Sequence, residues 1–148
     1  MNPRKTDSTA RALEETKAVY AALAERPALR NCTLVTECCQ FNLTGRVPML
    51  TKGEALVAAR GLRASGRKQL PSRKDGACPM LAPQTGRCMI YESRPFGCRT
   101  HFCRAAGGML ERREVLDLIR RLEAVDALLG GDGPHPLADA INAALDTL

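Results

Sequence analysis

Tryptophan is absent from this chain, and aromatic residues make up only 3% of it. An interior without large rings must be filled by Leu, Ala and Val, which favours helix-on-helix packing over a large sheet. The same shortage leaves few rings to stack on bases, and it weakens the nucleic-acid reading that a formal net charge of +6 invites. No stretch approaches the roughly 20 apolar residues of a bilayer span. The N-terminal MNPRKTDSTARALEETK carries charge without the apolar core of a secretory signal. The expected location is therefore cytoplasmic, with no membrane contact. A Cys-x-x-Cys redox motif is also missing, as are internal repeats and low-complexity tracts.

What the chain does have is sulfur. Its 148 residues suit one domain with a core of its own, so covalent staples are not required. Seven cysteines cannot all pair within one chain, and a reducing compartment disfavours disulfides. Metal ligation becomes their leading use, and the alternative for any one of them is a small buried hydrophobe.

Apolar residues at three- and four-residue steps mark the helices. The first is expected from about Thr9 to Arg26, with Leu13, Thr16, Tyr20, Leu23 and Ala24 on one face and Pro27 as its stop. The following ALRNCTLVTECCQFNLTGRVPML reads as loop with short extended pieces. Thr51 and Glu54 form a capping box that opens a second helix through Ala55, Leu56, Ala59 and Leu62, stopped by Gly66. Arg60, Arg63, Arg67, Lys68, Arg73 and Lys74 make the next stretch basic, an ordinary solvated face or, alternatively, a patch for phosphate or an acidic partner. A third helix, Leu110 to Leu129, carries Val115, Leu118, Ile119, Leu122, Val125 and Leu129 on its stripe. Pro136 starts a fourth, with Leu137, Ile141, Leu145 and Leu148 on one face. The last two are expected to pair as a C-terminal helical hairpin, about 108–148, packed on the first helix. The expected fold is mainly α: a small single domain of about four helices framing an irregular Cys-rich metal-binding core, about 32–103, with at most short strands.

Four cysteines, Cys78, Cys88, Cys98 and Cys103, share one irregular segment with His101. Cys32, Cys38 and Cys39 lie upstream. A thiolate binds zinc or iron well because a soft, charged sulfur replaces water. Met89, Ile90 and Tyr91 can form a short strand, and Arg94 with Pro95 a turn that brings Cys98 back toward Cys88. Clustered thiolates concentrate negative charge, which Arg87, Arg94, Arg99 and Arg104 are placed to offset. Neighbours in an extended chain face opposite ways, so Cys38 and Cys39 serve different metals, or one metal and the core, more easily than one ion. Seven cysteines and His101 make eight donors, enough for two tetrahedral sites or for one four-iron cluster with ligands to spare.

The stretch GRCMIYESRPFGCR, from Gly86 to Arg99, resembles the Gly-x-Cys-x-Ile-Tyr-x-x-Arg-Pro-x-x-Cys-Arg signature of the YkgJ-type cysteine-cluster family, zinc- or iron-chelating domains of the CxxCxxCC type. Cys78, Pro79, Met80 and Leu81 resemble its Cys-Pro-x-Leu element, and Cys38 and Cys39 its double cysteine. The chain departs from the pattern upstream, where Cys32 is followed by Thr33, Leu34, Val35, Thr36 and Glu37 in place of a second spaced cysteine. The resemblance implies a metal or iron-sulfur protein and no particular reaction.

Three functions compete on these residues. The first is a cytosolic metal-binding protein for metal handling or redox, holding zinc, iron or an iron-sulfur cluster through Cys39, Cys78, Cys88 and Cys98, with Cys32, Cys38, Cys103 and His101 for a second site or an open position. The second is an iron-dependent or thiol oxidoreductase, the latter using Cys38 and Cys39. The third is a zinc-stabilised adaptor that meets nucleic acid or a protein partner through the Arg60 to Lys74 segment.

Overall fold

The protein is described by a computed structural model covering residues 3–26, 47–71, 75–82, 84–100 and 110–148. Pro3 opens helix α1, Pro3–Glu25, a position where its missing N–H costs nothing. The helix starts six residues before the expected Thr9. There the Thr9 hydroxyl donates back to the Lys5 carbonyl (2.9 Å), a bond made from inside a helix rather than at its cap. Ala12, Leu13, Thr16, Val19, Tyr20 and Leu23 form the buried face, and Ala24, expected there, is exposed. At its end the Arg26 guanidinium donates to the Glu114 carbonyl (2.8 Å) and pairs with Asp117.

Strand β1, Met49–Leu50, leads into helix α2, Lys52–Ala64. The capping box forms as expected: the Thr51 N–H donates to Glu54 Oε2 (2.8 Å), and Gly66, at φ 90°, turns the chain out of the helix. Helix α2 is central. Ala55, Ala58, Ala59 and Leu62 face one apolar cluster, while Leu56 and Val57 face another. Two glycines allow close approach on its flanks. A Cβ on Gly53 would lie 2.6 Å from both the Thr16 hydroxyl and a Val125 methyl, and one on Gly61 would lie 2.7 Å from the Ser93 Cβ. Gly53→Ala is therefore expected to destabilise the domain by about 1–3 kcal/mol despite the better helix propensity of alanine, read as a lower urea midpoint. An unchanged or higher midpoint would mean that α1 and α2 can separate at no cost.

Residues 91–93 form a 3-10 turn, Tyr91–Ser93, followed by the short helix α3, Phe96–Thr100. Helix α4, Arg112–Leu128, buries Val115, Leu118, Leu122 and Val125. Strand β2, His135–Pro136, pairs antiparallel with β1, and helix α5, Leu137–Leu145, ends the fold. The expected hairpin of the last two helices is not how they pack: α4 lies along α1, and α5 lies along α2. The β1–β2 pairing explains the difference, because the Leu137 N–H donates to the Pro48 carbonyl (3.0 Å) and delivers α5 to the far side of α2. Asp126 fixes the same route, accepting from the Lys52 N–H (2.8 Å) and the Gly133 N–H (3.0 Å). Leu137, Ile141 and Leu145 are buried as expected, whereas Leu148 is exposed. Among the described residues there are five α-helices and one sheet of two two-residue strands, so this small domain is mainly α. None of these helices is long and apolar enough to cross a membrane.

Candidate metal centre

The segment before Cys88 folds as a small hairpin. The Leu81 N–H donates to the Cys78 carbonyl (3.1 Å), Ala82 N–H to Arg87 O (2.8 Å), and Met89 N–H to Met80 O (2.8 Å), with Gly86 at φ 67° in the turn. Leu81 and Cys88 stand opposite each other as an antiparallel bridge. Side chains directly opposed across a ladder share a face. Leu81 is buried in the cluster that also contains Cys78, and the half-buried Cys88 packs against that cluster. The hairpin thus brings Cys78 and Cys88 to one apolar cluster, which also holds residues of α2 and α5. The extended piece lies earlier than the expected Met89 to Tyr91. Ile90 drops into the core, and Tyr91 begins the 3-10 turn.

That turn is stapled by two arginines. Arg94 is held extended before Pro95, its Nε donates to the Tyr91 carbonyl (2.9 Å), and its guanidinium sits 3.9 Å over the Tyr91 ring. Arg99 reaches back to the carbonyls of Arg94 and Glu92 (both 2.8 Å) and lies 4.1 Å over the Tyr20 ring. Arg94 and Arg99, expected to offset thiolate charge, also serve the backbone, and Arg99 feels the charge of Cys98 as well. Their donors go to backbone carbonyls of the 3-10 turn and of the residue that ends it. Burial pulls the Arg99 guanidinium below its ordinary value.

Glu54 ties the start of α3 to the start of α2. Its Oε1 accepts the Phe96 N–H (2.9 Å), while Oε2 accepts both the N–H and the hydroxyl of Thr51 (2.8 Å each). The carboxyl is only 3% exposed, and desolvation raises its pKa against the lowering effect of those hydrogen bonds. Two residues beyond Phe96 stands Cys98, half-buried on α3, its N–H given to the Pro95 carbonyl (3.1 Å).

Of the eight predicted donors, Cys78, Cys88 and Cys98 are described. Cys32, Cys38, Cys39, His101 and Cys103 lie outside the described residues, as does Arg104. Among the described residues no three His, Cys, Asp or Glu side chains gather into a group able to hold a metal ion. The chemistry of these donors fits zinc or iron, and the described thiols would supply part of a set. The flanks of the other two stretches are fixed near α3. Thr100 accepts the Leu110 N–H (2.9 Å) across 101–109, and a Cβ on Gly97 would touch Pro48, just beyond 27–46. In the basic segment Arg60 and Lys68 are exposed, while Arg63 donates to the Leu145 carbonyl at the end of α5 (3.4 Å), a structural use. His135 is exposed and paired with Asp132 (2.6 Å).

Among the described residues, cysteines stand on a small hairpin and a short helix within a helical frame. The chain belongs to the CxxCxxCC family: the family model, described as "Putative zinc- or iron-chelating domain", matches residues 30–117, more than half of the chain. No curated protein and no solved structure matches it. The matched span holds all seven cysteines, α2 and α3, and it excludes α1 and α5. Family membership supports metal binding, of zinc or iron, as the class of function.

Proposed function

We propose that the chain is a cytosolic metal-handling or redox protein in which Cys39, Cys78, Cys88 and Cys98 are the main thiolate ligands. Cys32, Cys38, Cys103 and His101 are then available to a second site or a cluster. The observation that supports this reading is the hairpin closed by the Leu81–Cys88 bridge, in which Cys78 belongs to one apolar cluster and Cys88 packs against it although nine residues separate them. Thiolates at such a patch are shielded from water, which strengthens their attraction to a cation. With zinc the role is structural or metal handling, because zinc has no redox chemistry. With an iron-sulfur cluster it is electron transfer or sensing.

Purification without oxygen, followed by metal analysis and a visible spectrum, tests the reading. Stoichiometric zinc with no visible absorption assigns metal handling. Iron with sulfide and broad visible bands assigns electron transfer. A protein that takes up neither metal in stoichiometric amount under these conditions is not a metal protein.

A further inference from the structure

Tyr20 lies on α1, outside the matched span, with 5% of its surface exposed. Its hydroxyl is fully buried and has no hydrogen-bond partner among the described residues. A buried phenol normally finds an acceptor, so an orphaned one marks a place where an acceptor belongs. The ring is held from one side by the Arg99 guanidinium, 4.1 Å from its centroid, and Arg99 follows Cys98 directly on α3. Glu54 is also near, yet both of its oxygens already accept from Thr51 or Phe96, and neither accepts from Tyr20. Burial first, and then the charge of Glu54, keep the phenol protonated, opposed only in part by Arg99; a thiolate at Cys98 adds to the same effect. The group is thus an O–H donor one residue's contact away from Cys98, through Arg99, and it makes no hydrogen bond to the Cys98 sulfur in this structure.

We propose that Tyr20 is a positioning residue for the metal centre, donating its hydroxyl hydrogen to the Cys98 sulfur when that sulfur ligates metal. This rests on the reading of Cys98 as a ligand. A metal-bound thiolate keeps lone pairs that accept hydrogen bonds, and such an outer partner fixes the ligand's orientation and moderates its charge. The donor comes from α1, the helix that precedes the matched span.

The test compares the full-length wild-type chain with Tyr20→Phe, each titrated with Zn(II) and with Co(II) against a competing chelator. Tyr20→Phe should bind the same number of ions with roughly 10- to 100-fold weaker affinity. Its sulfur-to-cobalt charge-transfer band should move to lower energy, because the sulfur loses the hydrogen bond that stabilised its electrons. The metal-free variant should unfold at the same urea concentration as wild type or a higher one, since the lost hydroxyl had no partner. Thr16→Val, which removes the other orphaned hydroxyl of α1, should change neither affinity nor spectrum. Affinity within about twofold of wild type with an unmoved band overturns the proposal. So does a metal-free Tyr20→Phe chain that fails to fold, or a Thr16→Val chain that shifts equally. If the wild-type chain itself binds neither ion, the thiolate reading fails, and this inference fails with it.

Discussion

Replacing Glu54 with alanine is expected to lower the unfolding free energy by about 3 kcal/mol, and to do so from a position that touches no predicted ligand. The side chain accepts three hydrogen bonds from two segments, and truncation leaves the N–H groups of Thr51 and Phe96 without their acceptor. Both residues are only 6% exposed, so water replaces the lost partner poorly. Each buried orphan costs about 1–3 kcal/mol, partly offset by removal of a desolvated carboxyl. A domain of this size has roughly 5–15 kcal/mol in total, so the loss should be plain in a denaturant midpoint. The pH dependence has a definite sign. Because desolvation raises the Glu54 pKa in the folded state, the native chain holds that proton more tightly than the unfolded one. The associated stabilisation is fully present below the ordinary glutamate pKa and is lost as pH rises through the elevated folded value. Glu54→Gln has no such proton. Wild-type stability minus that of Glu54→Gln should therefore fall with rising pH across the acidic range, and a difference that grows instead would show that the Thr51 and Phe96 bonds outweigh burial.

The capping box at Thr51 and Glu54 was legible because its signature is local: two residues three apart, each satisfying the other's backbone. The third bond of Glu54, to Phe96, was not, since it joins positions 42 apart and leaves no periodic trace. The same distinction separates the helices from their partners. Apolar spacing located the four longer helices among the described residues, including the stripe Leu137, Ile141 and Leu145, yet a stripe records that a face is buried and not against what. Two residue pairs, Met49 with Pro136 and Leu50 with His135, decided that α5 would lie on α2 and not on α4, and a strand that short has no alternation to read. Gly53 and Gly61 carried a usable signal that went unread: glycine inside an otherwise strong helix marks a close approach. Tyr20 looked like one more member of an amphipathic face. Only the folded arrangement reveals that its hydroxyl is buried without a partner among the described residues. At the candidate site, cysteine spacing pointed to thiolate chemistry, and Cys78 and Cys88 do reach one cluster. Arg94 and Arg99 were legible as charges, but the carbonyls they serve depend on a turn geometry that charge alone does not encode.

Cys78 separates the two uses of a buried thiol more sharply than any other described position. It is 5% exposed amid Ala77, Met80, Leu81 and Ile90, surroundings that suit a small hydrophobe as well as a shielded ligand. Cys78→Ala keeps the apolar character and removes the sulfur. If packing were its whole purpose, the substitution would cost about 1 kcal/mol with or without metal. As a ligand it should instead cost more than about 100-fold in Zn(II) affinity, beyond what an outer-shell partner contributes. Stability should then differ between variant and wild type chiefly when metal is present, because the binding free energy is also folding free energy. Chelation of the wild-type protein should have a matching effect: new protease cleavage within 75–100, with most of the helical circular dichroism retained. Helix α1 on α4 and α5 on α2 bury apolar stripes that need no ion. Equal protease resistance with and without chelator, together with a Cys78→Ala variant that binds Zn(II) as tightly as wild type, would return Cys78 to the core as an ordinary packing residue.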